Sequence, residues 1–380
     1  MTRNIRLKDL RHQVIPASFA GSTVEFVAQE CIKCGACTVE CLFLREHGTP
    51  GHIAEIALRG DTVDHVAFSC SLCRLCTHRC PKQLPISDMF LELRRIAVAG
   101  DKKILKDYAP LRFYESLGAS RFFSGYFLPD ECDTVFFPGC TLPGIRPEQT
   151  EQLFIVLQKK FTKLGLVLDC CGQASHNLGD QEGFVTRNTR QIKKLRDSGV
   201  HHVITSCPSC FQAFSKDGTG IEVSMAYSHL AEMTTFSGKN GRSTDKKPKY
   251  SVHDPCTARF DRDVQESVRR LISLAGGTVA EMEHSGMRTL CCGEGGSVGF
   301  VQKKYKLEWQ RRRKDEMDSL PMVTYCAGCS VSLASPATTH ILDLVFPGKD
   351  GGNPPLVKQL MRYLNRLFFK KKMKRYLKVS

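Results

Sequence analysis

The sequence predicts an α/β fold in which a helical, cysteine-rich N-terminal domain precedes two duplicated α/β units. Three observations support this fold class. The 19 cysteines of the 380-residue chain are grouped, with eight between residues 31 and 80 and ten between residues 140 and 329. The second group repeats after about 119 residues, which indicates an internal duplication. Short apolar strands alternate with helical patterns in both repeats, which favours parallel α/β units.

The composition excludes several classes of protein. With 42% hydrophobic and 24% charged residues, the chain is too apolar to be disordered. The sequence contains no run of eighteen apolar residues, so no membrane span is predicted. The N-terminus lacks the apolar segment of a secretory signal. Because no secretory signal is predicted, we expect the protein in the reducing cytoplasm. Cysteine clusters there hold metals or perform redox chemistry rather than form disulfides.

The predicted N-terminal domain, residues 1–127, contains two runs with the spacing C-x2-C-x2-C-x3-C. They lie at residues 31–41 and 70–80. This is the spacing of two-cluster bacterial ferredoxins, where the fourth cysteine of each run binds the cluster of the other run. The first cubane [4Fe–4S] cluster is therefore assigned to Cys31, Cys34, Cys37 and Cys80. The second cubane cluster is assigned to Cys70, Cys73, Cys76 and Cys41.

Two zinc sites are the alternative for these runs, although four-cysteine zinc sites usually show two separated C-x2-C pairs. Leu42 stands where a proline is usual, which affects the expected turn but not the ligands. A helix is predicted at residues 87–99, with Leu91, Leu93, Ile96 and Ala97 on its apolar face.

The predicted units at residues 128–240 and 241–352 each contain a single cysteine, a Cys-Cys-Gly triplet and a C-x-x-C pair. The cysteines of the first unit are Cys140, Cys170, Cys171, Cys207 and Cys210. Those of the second unit are Cys256, Cys291, Cys292, Cys326 and Cys329. Five thiolates exceed the needs of a cubane cluster or of a tetrahedral zinc, so the pattern indicates a more open cluster.

Predicted strands lie just before the single cysteines and the C-x-x-C pairs, at residues 135–137, 202–205, 250–252 and 322–325. The helices that follow the single cysteines are expected to end at Gly165 and Gly276, and long basic helices to begin near Gly183 and Gly299. Because open α/β folds place their sites at the carboxyl ends of strands, the five cysteines of each unit are expected to converge there.

A tandem ferredoxin run followed by two such units resembles the D-type subunit of heterodisulfide reductase. It is also similar to the iron–sulfur subunits of anaerobic glycerol-3-phosphate dehydrogenase, glycolate oxidase and lactate-utilisation systems, over about residues 25–345. In heterodisulfide reductases these five-cysteine (CCG) units hold non-cubane [4Fe–4S] clusters at which a disulfide is reduced. The resemblance therefore implies one or two non-cubane clusters here, with zinc in the first unit as an alternative.

The resemblance implies an iron–sulfur oxidoreductase subunit that relays electrons from two cubane clusters to the non-cubane sites and reduces a thiol disulfide there. Two alternatives stay open. One is an electron-transfer subunit between a flavin dehydrogenase and membrane quinone, and the other is a zinc-bearing scaffold or redox sensor. A flavin-containing or membrane cytochrome-type partner subunit is expected in either redox role.

Disulfide cleavage would need proton donors, and His253 and Glu294 are the candidate catalytic residues because they flank Cys256 and Cys292. The only glycine-rich stretch, residues 293–299, departs from a dinucleotide fingerprint at Val298 and is interpreted as cluster-loop backbone. No flavin or NAD site is therefore predicted in this chain.

The predicted tail, residues 353–380, is basic and amphipathic. From Lys358 onward it carries nine basic residues and no acidic one, within a formal net charge of +15 for the chain. Its predicted apolar stripe consists of Leu356, Val357, Leu360, Met361, Leu364, Leu367 and Phe368. This pattern predicts a helix that docks on the inner face of a membrane or on a partner protein. Packing of the helix on the protein's own surface is the alternative. Nucleic-acid binding is not expected, because no recognised motif accompanies the charge.

Overall fold

The structure is a computed structural model that describes residues 21–215, 219–233, 247–335, 337–348 and 359–377. The N-terminal part of the described chain is helical. Its α-helices are α1 (Thr23–Glu30), α2 (Leu42–His47), α3 (Pro50–Leu58), α4 (Asp64–Ser69), α5 (Leu75–Arg79), α6 (Ile86–Gly100) and α7 (Ala109–Gly118). Reciprocal hydrogen bonds between Ser22 and Glu25 form a capping box that fixes the start of α1.

The helix predicted at residues 87–99 is confirmed as α6, but its buried face differs from the prediction. Leu91, Leu93 and Ala97 are buried as expected, whereas Ile96 is 59% exposed. Arg94 occupies the buried face instead and is completely enclosed. A charged residue on the apolar stripe of a helix needs buried partners, and these are described with the site below.

The first α/β unit contains a five-stranded sheet. Its elements are β1 (Gly125–Phe127), β2 (Thr134–Phe137), α8 (Leu142–Ile145), α9 (Pro147–Gln158), β3 (Gly165–Leu168), α10 (Gln173–Asn177), α11 (Gln181–Asp197), β4 (His202–Thr205), α12 (Pro208–Phe214), β5 (Glu222–Met225) and α13 (Ala226–Glu232). The strand order is β1-β3-β2-β4-β5, and all pairs are parallel except β1 with β3. Strand β1 therefore lies before the predicted boundary at residue 128 but belongs to this sheet.

The second unit repeats this arrangement with a four-stranded sheet. Its elements are β6 (Lys249–His253), α14 (Arg262–Leu274), β7 (Thr278–Ala280), α15 (Lys303–Asp315), β8 (Met322–Thr324), α16 (Ala327–Ser332), β9 (Thr338–His340) and α17 (Ile341–Val345). The all-parallel order β7-β6-β8-β9 matches the order β3-β2-β4-β5 of the first unit. The predicted duplication is thus confirmed at the level of topology, and the α/β fold class with it.

Two predicted helix boundaries are wrong. Helix α9 ends at Gln158, and Gly165 begins strand β3 instead of closing the helix. Helix α15 begins at Lys303 rather than near Gly299, because Gly296 and Ser297 adopt left-handed backbone angles inside a preceding 3-10 segment. The buried, β-branched and aromatic strands were easier to predict, since such runs favour central strands.

The C-terminal helix, α18 (Gln359–Tyr376), packs on the protein itself, and the predicted apolar stripe is not its buried face. The buried residues are Arg366, Phe369 and Met373, and the last two join the core that both sheets share. Leu360, Met361, Leu367 and Phe368 remain exposed. The predicted stripe residues Leu356 and Val357 lie outside the described residues. None of the described helices combines the length and apolarity needed to cross a bilayer.

Candidate metal centres

The cysteines assigned to the first cubane cluster line one cavity near the protein surface. They are Cys31, Cys34, Cys37 and Cys80. Lys33 and Gly35 both have left-handed backbone angles, which turn the loop around the thiols. Cys34 is exposed while the other three are partly buried, so this cavity is the more accessible of the two in the helical part.

The cysteines assigned to the second cubane cluster line a separate, deeper cavity. They are Cys41, Cys70, Cys73 and Cys76. Leu72 and Arg74 have left-handed backbone angles at the same places in the run as Lys33 and Gly35. Cys41 directly precedes helix α2, whereas Cys80 follows the end of helix α5 and does not begin a helix.

The donor set of each cavity fits an iron–sulfur cluster. Burial raises the pKa of the Cys37 thiol and of the Cys70 thiol to about 12 each. Such thiols stay protonated near neutral pH unless a metal takes the place of the protons. Four soft sulfur donors around one cavity suit iron–sulfur clusters or zinc, and the C-x2-C-x2-C-x3-C runs favour iron–sulfur.

The cysteines of the first α/β unit converge at the carboxyl edge of its sheet. Cys140 follows β2, the Cys170–Cys171 pair follows β3, and Cys207 lies between β4 and α12. The thiols of Cys140 and Cys170 are neighbours that interact with each other. Cys210 interacts with both Cys171 and Cys207, and Cys171 adjoins Cys170 in the chain, so all five predicted ligands belong to one group of thiols.

The cysteines of the second unit also form one connected set. Interactions between neighbouring thiols link Cys256 to Cys291, Cys291 to Cys292, and Cys329 to both Cys292 and Cys326. The five cysteines were expected at the carboxyl ends of strands, but a loop separates Cys291 from β7, which already ends at Ala280. The intervening loop reaches toward the helical part of the molecule.

His253 ends strand β6 inside this second set. One ring nitrogen and the sulfur atoms of Cys292 and Cys329 lie within 4.8 Å of one another. The imidazole is completely buried, and neither ring nitrogen has a hydrogen-bond partner among the described residues. Burial holds the pKa of His253 well below its usual range, so the ring is neutral. This enclosed position favours a role beside the thiols over proton delivery from solvent.

Glu294, the other candidate proton donor, lies on the loop that leaves Cys292. Its carboxylate accepts a hydrogen bond from the Lys306 ammonium of α15, and its side chain is 39% exposed. The adjacent Gly295 is in contact with the sulfur of Cys291, since a Cβ at this glycine would lie 2.9 Å from it. Glu294 is therefore near the second thiol set and open to solvent, which His253 is not.

The second cubane set and the second α/β unit are in direct contact. A Cβ at Gly295 would overlap the Ser71 carbonyl oxygen, and one at Gly296 would lie 2.6 Å from that of Cys70. Only glycines permit this approach of the two loops. Cys73 and Cys291 pack together there with Leu290 and Trp309.

Two buried arginines hold this contact, and the sequence pattern did not reveal either. Arg259 donates through Nε to the Cys73 carbonyl oxygen at 3.0 Å and through Nη2 to that of Thr289 at 2.6 Å. Arg94 donates to the Cys70 carbonyl oxygen at 2.6 Å and to that of Gly296 at 2.8 Å. The only signal for Arg94 was a charge among the apolar residues of α6.

Cys132, which has no predicted ligand role, is buried away from these sets. Its thiol donates to the Thr134 carbonyl oxygen at 3.3 Å, as a small core residue does.

Two family profiles match this chain. The profile of the 4Fe-4S dicluster domain matches residues 27–84. The profile of the cysteine-rich domain (CCG) matches twice, at residues 134–215 and 250–334. These ranges contain all eighteen predicted cysteine ligands, and 4Fe–4S binding is thereby supported independently of the geometry.

Similar curated proteins are named as redox proteins. The chain is 23% identical over 222 residues to an EtfAB:quinone oxidoreductase of Syntrophomonas wolfei. This alignment covers 54% of this chain and 31% of that protein. It is 28% identical over 184 residues to the D-type subunit of the dihydromethanophenazine:CoB–CoM heterodisulfide reductase of Methanosarcina barkeri, covering 45% of each. It is 22% identical over 184 residues to a probable membrane-anchored ferredoxin of Chromohalobacter salexigens, covering 46% of this chain and 27% of that protein.

The matched segments thus span less than half the length of these relatives, whose further regions have no counterpart in the alignments. The dicluster match, the duplicated cysteine-rich match and the similarity to the Methanosarcina protein agree with one another. The chain contains a 4Fe-4S dicluster domain followed by two cysteine-rich (CCG) domains, and it is similar to the D-type subunit of heterodisulfide reductase and to other iron–sulfur oxidoreductases.

Proposed function

We propose that this chain is an electron-transfer subunit that accepts electrons at its surface cysteine set, conducts them to the α/β units and there reduces a thiol disulfide. Two cubane and up to two non-cubane clusters, held by the eighteen cysteines, would supply one-electron storage and transfer when bound. Reduction of one disulfide consumes two electrons and two protons and releases two thiols. The donor is proposed to be a flavin-containing or cytochrome-type partner subunit.

The observation that supports this proposal most is the contact between the second cubane set and the second α/β unit. Arg259 lies three residues after Cys256 and binds the carbonyl oxygen of Cys73, so one side chain joins the two sets of cysteines. The nearness of Cys73 to Cys291 shortens the distance between the two redox sites. The exposed Cys34 in the first set offers a place where a donor partner can approach.

The side chains near the second thiol set are proposed to have different roles in proton transfer and in positioning the thiols. Glu294 is partly exposed and beside the thiol set, so we propose that it exchanges protons with solvent and passes them to the leaving thiolates. His253 is proposed to position the thiols of Cys292 and Cys329, because its neutral ring has no other partner among the described residues. Lys306 would hold the Glu294 carboxylate toward the loop.

A second candidate acceptor is a membrane quinone. Exposed apolar residues on α18, including Leu360 and Phe368, stand beside exposed lysines, as in helices that lie on membranes. The name of the Syntrophomonas relative also points to a quinone as acceptor of that protein. In this case two electrons and two protons would convert quinone to quinol, and the disulfide reaction would be absent.

Anaerobic iron analysis and acceptor assays test the proposal. Four loaded sites predict about 16 iron atoms per chain, and a value near about 8 with bound zinc would contradict loading of the α/β units. Reduced protein is expected to be reoxidised by a disulfide with release of two thiols per disulfide. Reoxidation by a water-soluble quinone alone would instead support the second candidate.

The Glu294→Gln variant tests the proton pathway in the same assay. It is expected to slow disulfide-dependent reoxidation at least about tenfold, in the range known for removal of an acid–base group. Glu308→Gln is the matched control, because Glu308 lies on α15 and is also paired with a cation, Arg311, that belongs to the same helix. Equal rates for the two variants would remove Glu294 from the mechanism.

A further inference from the structure

Helix α18 lies outside the matched domains, yet it covers the thiol set of the first α/β unit. It packs closely on α8, where Asn365 donates to the Gly144 carbonyl oxygen at 2.9 Å. A Cβ at Gly144 would lie only 3.0 Å from the Arg362 carbonyl oxygen. Together with the burial of Phe369 and Met373, these contacts fix the helix in one position on the first unit.

Arg366 is the charged residue on the buried face of α18. Its side chain is 5% exposed, and its guanidinium carbon lies 5.0 Å from the ring centre of Phe123 and 5.8 Å from that of Tyr114. Nη2 donates to the Gly118 carbonyl oxygen at 3.3 Å. Nη1 has no hydrogen-bond partner among the described residues, which is costly for a buried cationic group.

The guanidinium faces the thiols across a single glycine. A Cβ at Gly118 would lie 3.3 Å from Cβ of Cys170 and 3.4 Å from Nη2 of Arg366. Gly118 therefore lies between the guanidinium and the Cβ of that cysteine. Tyr114, whose ring adjoins the guanidinium, also donates to the Cys140 carbonyl oxygen at 3.2 Å.

The nearby acidic side chain, Glu115, already has hydrogen-bond partners of its own. The buried carboxylate of Glu115 is bound by the backbone N–H and the hydroxyl of Ser175. The cysteines next to the guanidinium are Cys170, behind Gly118, and Cys140, behind Tyr114. The thiolate-bound group of the first unit is thus the negative charge that the buried guanidinium faces.

We propose that Arg366 is a positioning residue for the first α/β unit, where its fixed positive charge balances the thiolate-bound cluster and raises the reduction potential of that cluster. A cation beside a cluster stabilises the reduced, more negative form. Helix α18 would then be a built-in cover of this redox site. The inference rests on the proposed loading of the first unit with an iron–sulfur cluster.

A redox titration of the loaded protein, followed by EPR, tests this inference. The Arg366→Gln variant is expected to shift the midpoint potential of one cluster signal to more negative values and to leave the other signals in place. Lys371→Gln is the matched control, because Lys371 is exposed on the same helix and the substitution removes the same charge. Arg366→Lys, which keeps the charge, is expected to restore most of the potential.

Gly118→Ala provides a second test that leaves the arginine intact. Its methyl group would press Cys170 and the guanidinium apart by a few tenths of an ångström, so the same signal is expected to shift in the same direction. Unchanged potentials in fully loaded Arg366→Gln or, if that variant fails to fold, in Gly118→Ala would overturn the inference alone. Wild-type protein without iron in the first unit would overturn both the proposed function and this inference.

Discussion

At the scale of single residues, one of the buried positions at which the two α/β units differ lies beside the thiols of the second unit. His253 is the last residue of β6 and lies three residues before Cys256, while Phe137 holds the same place before Cys140 in the first unit. Phe137 packs on Phe214 at 4.9 Å between ring centres, which is ordinary core packing. A buried histidine without partners is destabilising by itself, so its presence beside the thiols of the second unit indicates a role in that site.

The His253→Phe variant separates stability from site chemistry. Without metal, we expect the variant to be more stable than wild type by about 1–3 kcal/mol, since two unpaired nitrogens leave the core. In the loaded protein, we expect an altered EPR signal of one cluster. Chemical denaturation of the metal-free chain and EPR of the loaded chain measure the two effects.

The matched control is Phe137→Leu in the first unit, which is expected to lower stability and to leave the signals of the second unit unchanged. A loaded His253→Phe protein with wild-type spectra would show that the histidine has no part in the site.

At the scale of secondary-structure elements, α18 has two faces with different tasks. Its buried face completes the core and covers the first unit, whereas its exposed face carries apolar residues next to lysines. Deletion of the helix would therefore damage the fold and cannot isolate a membrane function. Substitution of exposed residues leaves Phe369 and Met373 in place.

The Leu360→Asp, Phe368→Asp double variant tests peripheral membrane binding. Wild-type protein is expected to float with phosphatidylglycerol vesicles at low salt and not with phosphatidylcholine vesicles, because nine basic residues attract anionic lipid. The double variant is expected to lose at least half of the bound fraction. The Val39→Asp, Leu58→Asp double variant, which places the same two charges on exposed apolar residues of the helical part, is the control. Equal flotation of all three proteins would contradict docking through α18.

Elements with a strong local pattern could be predicted, and those set by distant contacts could not. Strand β4 at His202–Thr205 and helix α6 follow from apolar runs and periodicity, and the paired thiol sets follow from cysteine spacing. The buried face of α18 could not be predicted, because Arg366 is buried only through contacts with Gly118 and aromatic rings more than 240 positions earlier in the chain.

At the scale of the whole molecule, Arg94 joins three regions of the chain. Besides Cys70 and Gly296, it binds the Ala67 carbonyl oxygen at 3.0 Å and the Asn177 carbonyl oxygen of the first unit at 2.5 Å. The helical part and both α/β units therefore meet at one guanidinium. A planar fork with several donors suits this position, and a lysine could not replace it.

The Arg94→Met variant is expected to lower the free energy of unfolding by at least about 2 kcal/mol, because several buried carbonyl groups lose their donor. It is also expected to slow electron exchange between the helical part and the second unit, which freeze-quench EPR after rapid reduction would detect. Arg59→Met is the control, since Arg59 is largely exposed on the helical part. Wild-type stability together with wild-type exchange rates would contradict this role for Arg94.

The close approach of Gly295 and Gly296 to Ser71 and Cys70 has a consequence for how such proteins are assembled from modules. Two loops that touch through bare backbone recognise each other by shape, and any side chain at either glycine would push the loops apart. A dicluster domain borrowed from a relative would therefore fit only if its loop followed the same path. Chimeras of this family are expected to work when both loops are exchanged together and to fail when one is exchanged alone.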